Sequence, residues 1–430
     1  MHLKRVACKG MSSKIVVALF GVVSLAIPLS FAADNAGVSD EQHWVGTWSA
    51  APESIVGSSS YVDQTLRLIV HTSIGGNRVR VRISNTFSTE SLLIGTAHIA
   101  LRKAGAEIIA SSDRPLSFGG KASFTVPAGA LVLSDPVDLD VPSQADLAVS
   151  IYLPAFSLAN TTHLVAQQTN YVAQMPGDFT SATNFPGAGT TFEWDFLTGV
   201  DVVRRHGAAA VVLGDSVTDG IGSTPDTDRR WPDFLARRLQ AQNGLRHLAV
   251  LNEGNTGNRI LYPAPPQSDF FGAAALARFD RDVLGQAGVK YLIVLLGTND
   301  IAQPGIVTPD SEEVSANDII AGHLQLIARA HERGVLAFGC TLLPFKNSLI
   351  APEFYTPEKN AKREAVNEWI RSSGAYDAVI DFDKAVRDPA HPLQVLPAYD
   401  SGDHTHLNDA GYRAMANAID LNLFRGEDSW

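Results

Sequence analysis

At 430 residues, 45% hydrophobic and 18% charged, the chain is too long for one typical domain and too apolar for a disordered or collagen-like polymer. A formal net charge of −11 argues against nucleic acid or an anionic membrane as partner. The longest apolar run, residues 15–28, falls short of the roughly 18 to 20 residues a membrane-spanning helix needs, so no integral membrane protein is implied.

Lys4, Arg5, Lys9 and Lys14 precede that run, and Ser30, Phe31 and Ala32 follow it with small residues where a signal peptidase cuts. Residues 1–33 therefore read as a signal peptide starting at Met1 or Met11, and the mature chain is expected to be secreted or periplasmic. Cys8 would leave with the signal, so Cys340 has no partner for an internal disulfide. Its apolar surroundings, residues 335–343, predict an inert core thiol.

Residues 44–200 read as an all-β accessory domain, a sandwich or jelly roll. Val79, Val81 and Ile83 alternate with Arg78, Arg80 and Arg82, as one buried and one polar face of an antiparallel strand require. Leu66, Leu68 and Val70 repeat the pattern, as do Leu147, Val149, Ile151 and Leu153, with glycine- and proline-rich turns between. Trp44 and Trp48 are an aromatic pair that could face a sugar, though packing in this domain explains them better.

Residues 206–426 change pattern to short apolar runs separated by helical segments, the signature of a parallel sheet with crossover helices. Strands are predicted over 209–213, 248–251, 291–296, 335–342 and 378–382, and helices near 232–242, 272–284, 317–333, 357–373 and 410–423. This is an α/β fold, a flavodoxin-like three-layer domain. In such sheets the reactive groups sit beyond the strand C-termini.

Three strand ends and one late loop carry candidate chemistry. Ser216 follows the first strand in Gly214-Asp215-Ser216, Gly257 lies in the turn after the second, and Asn299 follows the third in Gly297-Thr298-Asn299-Asp300. Asp403 and His406 precede the last helix. A serine nucleophile needs a base, the base needs a carboxylate to hold its tautomer, and the oxyanion needs fixed donors. Ser216, His406 and Asp403 fill the first three roles, and the amides of Ser216, Gly257 and Asn299 supply the donors. His404, two residues before His406, has Ser401 where the base would need an aspartate, and reads as a loop residue. His206, just before the first strand, reads as exposed or structural.

These blocks resemble those of GDSL-type esterases of the SGNH hydrolase superfamily. The resemblance implies a serine carboxylic ester hydrolase using Ser216, Gly257, Asn299, His406 and Asp403, with no metal and no cofactor. The Trp44–Pro52 segment and the arginine-rich strand also resemble a secreted subfamily close to xylan-associated acetyl and aryl esterases. The reading is a secreted esterase that removes short acyl groups, acetyl foremost, through an acyl-enzyme on Ser216. Acetylated plant-type polysaccharide, aryl ester and short-chain lipid are all compatible substrates. Tyr262, Phe270 and Phe271, in the stiff loop after Gly257, are expected to form a shallow wall suited to a two-carbon acyl group. Two other functions share some of these residue types. Asp215, Asp219, Asn299, Asp300, His404 and His406 are residue types of a two-metal phosphoesterase, but Thr218 stands where a second aspartate is wanted. An inactive carbohydrate-binding protein conflicts with a complete triad.

Overall fold

The computed structural model describes residues 43–55 and 59–425. The signal-peptide reading and Cys8 lie outside them. No helix among the described residues is long and apolar enough to cross a membrane.

The N-terminal region is built on antiparallel pairing. A five-stranded sheet runs in the order Trp44–Ser49, Leu197–Val203, Gly76–Ser84 and Leu131–Leu133, with Val137–Val141 also paired to Gly76–Ser84. A seven-stranded sheet is centred on Gln64–His71, Asp146–Leu153 and Thr96–Ala104. Val79, Val81 and Ile83 from the first sheet and Leu66, Leu68, Leu147 and Val149 from the second share one buried cluster, as their alternation requires. Trp48 is buried edge-on against Trp194 (4.9 Å between centroids), and Trp44 lies under the Arg80 guanidinium. Neither tryptophan is an open sugar platform.

The polar faces are less wet than alternation alone suggests. Arg82 and Arg80 both pair with Asp201 on the neighbouring strand, and Arg82 also donates to the carbonyl of Gly285 (2.8 Å). Arg67 lies on a strand buried on both faces from Thr65 to Val70, and donates to Ser150 Oγ (2.9 Å) and the carbonyl of Ala106 (2.7 Å).

The C-terminal region holds a parallel sheet of β1 (Ala208–Gly214), β2 (Leu248–Gly254), β3 (Val289–Leu295), β4 (Leu336–Cys340) and β5 (Ala378–Ile380), in the order β2-β1-β3-β4-β5. That order is the flavodoxin-like arrangement, with its switch point between β1 and β3. The nucleophile turn becomes α1 (Ser216–Asp219), followed by α2 (Trp231–Ala241) and α3 (Ala275–Phe279). Next come α4 (Thr298–Ala302), α5 (Ala316–His331), α6 (Pro357–Ser372), α7 (Phe382–Val386) and α8 (Asp409–Ala418). α2 packs with α8 and α5 with α6, two separate helix pairs of the kind that right-handed crossovers lay on the two faces of a parallel sheet.

Several elements depart from their sequence bounds, β2 running on to Gly254 and β4 stopping at Cys340, and three have a local cause. The 272–284 segment is a short α3 followed by a π-turn at Asp280–Leu284, because its start is tied to the preceding loop by Ala275 N donating to Arg259 O (2.8 Å). β5 stops at Ile380 because Asp381 caps α7. The last helix ends at Ala418 and a 3₁₀ turn, Leu421–Phe424, follows under an Asp420 cap. Cys340 is fully buried on β4, where desolvation pushes its thiol well up from the ordinary range.

Candidate active site

Ser216 opens α1 immediately beyond β1, where Asp215 caps the helix by accepting Val217 N (3.1 Å). α1 packs close against β2 because Gly254 has no side chain: a Cβ there would lie 2.3 Å from Asp219 N. The late loop brings His406 Nε2 to 2.8 Å from Ser216 Oγ, and His406 Nδ1 to 2.6 Å from Asp403 Oδ2. The carboxylate fixes the proton on Nδ1, so Nε2 faces the serine hydroxyl as an acceptor, the placement a general base needs.

Asp403 is held by its neighbours. Its Oδ1 accepts the backbone N–H groups of Thr405 (2.9 Å) and His406 (2.8 Å). Burial pushes its carboxyl up, but the His406 hydrogen bond and charge together with those amides override this and hold it well below the usual carboxylate range. His404 stands outside this series: it adopts a left-handed backbone (φ 60°), is partly exposed, and pairs with Asp400. His206 is exposed at the turn before β1.

Gly257 and Asn299 face the same cavity as Ser216 and His406. Gly257 has φ +77°, and a Cβ on it would strike the Phe271 ring at 2.0 Å, so both backbone and neighbour demand glycine. Asn299 Nδ2 donates to the carbonyl of Asn258 (3.1 Å), leaving its second N–H for a substrate. Asp300 accepts Ile260 N (2.9 Å) and Leu261 N (3.1 Å), tying the loop after Gly257 to α4. Burial pushes the Asp300 and Asp215 carboxyls each up to about 6. The carboxylates that a two-metal reading would recruit are thus occupied by backbone amides, and His404 by Asp400.

The cavity is about 270 Å³ and almost wholly apolar, lined by Phe270 and Phe271 and by a second wall of Ile306, Val307, Ile350 and Phe354. Phe270 and Phe271 stand where the sequence placed them, edge to face at 4.6 Å. Tyr262 does not join them; its ring is held by the Arg259 guanidinium (5.4 Å). The second wall comes from two loops that no spacing connects to the motifs. The 345–354 loop is anchored to the triad loop by Thr405 Oγ1 donating to Ser348 Oγ (2.6 Å) and Leu349 N to Asp403 O (2.9 Å). Gln303, also hidden from sequence reasoning, donates to the carbonyl of Gly257 (2.7 Å) and steadies the turn.

Residues 211–419 match the family model described as GDSL-like lipase/acylhydrolase. Among solved structures, the chain is similar to a carbohydrate acetylesterase from Sinorhizobium meliloti (15% identity, 51% of this chain and 99% of that one, TM-score 0.38). It is also similar to the native M. smegmatis aryl esterase (17% identity, 51% and 99%, TM-score 0.39) and to an acetyl xylan esterase (16%, 49% and 96%, TM-score 0.35). No curated protein matches.

Proposed function

Since residues 211–419 form a GDSL-like lipase/acylhydrolase domain and make the chain a carboxylic ester hydrolase, we propose that it works by a serine mechanism on short-chain O-esters. One observation carries this: the hydrogen-bonded series Asp403–His406–Ser216, with steps of 2.6 and 2.8 Å, ends at the floor of an apolar cavity. Ser216 Oγ attacks the ester carbonyl as its proton passes to His406 Nε2. The N–H groups of Ser216 and Gly257 and the amide of Asn299 receive the oxyanion. His406 returns the proton to the departing alcohol, and water, activated by the same imidazole, releases the acid from the acyl-enzyme.

Acetyl fits this site, but the volume favours somewhat larger groups as well. A cavity of about 150 Å³ accommodates benzene, so about 270 Å³ takes a ring or a chain of several carbons. The lining supports an aryl or short-chain ester over a glycan acetate, whose hydroxyls would find few partners among Phe270, Ile306, Val307 and Phe354. Secretion, expected from residues 1–33, fits an enzyme that meets its esters outside the cell. The test is a panel of p-nitrophenyl esters beside acetylated xylan. Butanoate is expected to match or exceed acetate in kcat/KM, Ser216→Ala to be inactive, and a phosphonate ester to label Ser216 stoichiometrically. Full activity in Ser216→Ala would end the serine reading, and strong preference for acetylated xylan would end the apolar one.

A further inference from the structure

We propose that His163, contributed by the N-terminal β region, is a positioning residue for catalysis: as a buried cation it pairs with Asp219 and holds it in place, and Asp219 clamps the oxyanion turn to the nucleophile helix. The inference rests on the serine reading of Ser216.

His163 ends the short strand Thr161–His163 and is 3% exposed. Its Nε2 lies 3.0 Å from Asp219 Oδ1 and its Nδ1 lies 2.9 Å from the carbonyl of Ala51. Both ring nitrogens therefore face oxygens that can only accept. A neutral imidazole has a single N–H and would point a lone pair at one of them, so the geometry demands the doubly protonated ring. Glu53 Oε1, 3.8 Å from Nδ1, adds a second carboxylate. Burial opposes the charge, yet Asp219 and Glu53 outweigh it, and the His163 pKa is pushed up to about 9.

Asp219 is the last residue of α1, three after Ser216. Its other oxygen accepts Thr256 N (3.0 Å) and Thr256 Oγ1 (2.6 Å), and Thr256 immediately precedes Gly257. Glu53 reaches the same turn, accepting Asn255 Nδ2 while its second oxygen accepts Leu164 N (3.1 Å). Nucleophile and oxyanion donor are thus fixed to each other through one carboxylate, whose charge is compensated from the β region. Without the imidazolium, that buried carboxylate would lose its charge partner and the contact that holds it in place, and with them the geometry in which it accepts from Thr256. A misplacement of the donor by about 1 Å is enough to cost roughly 100-fold in rate.

The decisive measurement is the pH dependence of kcat for a p-nitrophenyl ester in the full chain and in folded His163→Gln. The charged or titratable groups facing His163 and Asp219 are Glu53, Asp215, Arg230 and Tyr412, the last with its phenol held well above the ordinary range by burial. Glu53 is pushed up to about 7 and Asp215 to about 6, while Arg230 is raised further from its already high value, so the imidazolium is the group that loses charge near pH 9. His163→Gln is expected to lower kcat at neutral pH about tenfold or more with KM changed less than about twofold. The wild type should lose kcat as pH rises through about 9 while still folded, and His163→Gln should lack that limb. Thr256→Val, which keeps the branched shape and removes one clamp bond, should lower kcat severalfold and keep the limb. If His163→Gln does not fold, Thr256→Val and the wild-type profile decide: unchanged kcat in the former, or a flat alkaline profile in the latter, overturns the proposal. Wild-type kcat in folded His163→Gln overturns it outright. If Ser216→Ala is itself active, the serine reading has failed instead.

Discussion

Gly257→Ala isolates the oxyanion turn. An alanine at φ +77° pays about 1 to 2 kcal/mol for the left-handed backbone. Its Cβ would also meet Phe271 Cδ1 at 2.0 Å and Cγ at 2.3 Å, where ordinary contact begins at 3.4 Å. Ring and turn must therefore separate by more than 1 Å, which removes the Gly257 N–H from its place. Loss of one oxyanion donor costs about 10² to 10³ in kcat, so a fall of that size is expected, with total destabilisation of about 1 to 3 kcal/mol. Phe271→Ala removes the obstacle without changing φ. The double variant should therefore recover much of the kcat lost in Gly257→Ala while keeping the backbone share of the stability loss. The assay is a double-mutant cycle in kcat, on an acetate ester, beside thermal unfolding of all four proteins. Additive losses, with the second substitution relieving nothing, would refute the steric account, and a Gly257→Ala enzyme within a few-fold of wild type would refute the donor's role.

Other outcomes follow from the same geometry. His404→Ala should change kcat/KM less than about threefold, whereas His406→Ala should lower it by about 10⁴-fold or more; the reverse order would misassign the base. Phe270→Ala with Phe271→Ala should raise the hexanoate-to-acetate ratio of kcat/KM by about tenfold, since an added methylene in an apolar pocket is worth about 1 to 3 kcal/mol. An unchanged ratio in the folded double variant would remove these rings from selectivity. Asp195, Asp215 and Asp300 are raised to about 6, Glu53 to about 7, Glu253 to about 8 and His163 to about 9, chiefly by burial for the carboxyls and by Asp219 and Glu53 against burial for His163. Each folded pKa lies above its unfolded value, so the folded state holds more protons across this range, and stability should decline as pH rises from about 5 to 9. A melting temperature as high at pH 8.5 as at pH 5.5 would contradict these assignments.

The parallel strands were legible because a strand buried on both faces must be an apolar run, as in β1, β3 and the first four residues of β2. That Ser216, His406 and Asp403 converge was legible because they sit in short blocks at a strand end and in one loop, so rank along the chain stands in for position in space. Tyr262 shows the limit: in a loop, bulk says nothing of direction, and Arg259 turned the ring away from the cavity. Ile306, Val307, Ile350 and Phe354 carry no periodicity, and only the anchoring of their loops on α4 and the triad loop brings them together. Arg67 was unreadable for a related reason, since alternation assigns it to an outer face that residues 170–185 then cover. His163 and Glu53 lie in another region of the chain from Asp219, and no motif spans that gap.

That last connection bears on whether the β region is a removable accessory. Gly46 N donates to Ala287 O (3.0 Å), Val250 N to Ser73 Oγ (3.2 Å), and Arg82 to Gly285 O (2.8 Å), so edges of both regions are hydrogen-bonded to each other. Gly46 also packs so closely on Leu251 that a Cβ would fall 2.6 Å from that side chain, and one buried cluster runs from Val45 and Val81 through Leu251 to Val294. Residues 206–425 expressed alone would expose that face of β2 and leave Asp219 without His163. The fragment is therefore expected to aggregate, or to fold with kcat at least about tenfold below the full chain. Co-expression with residues 43–204 should restore both solubility and rate, because the missing contacts are non-covalent. A soluble 206–425 fragment with the kcat of the full chain would mean that the contacts at Asp219 and Leu251 contribute nothing to the active geometry.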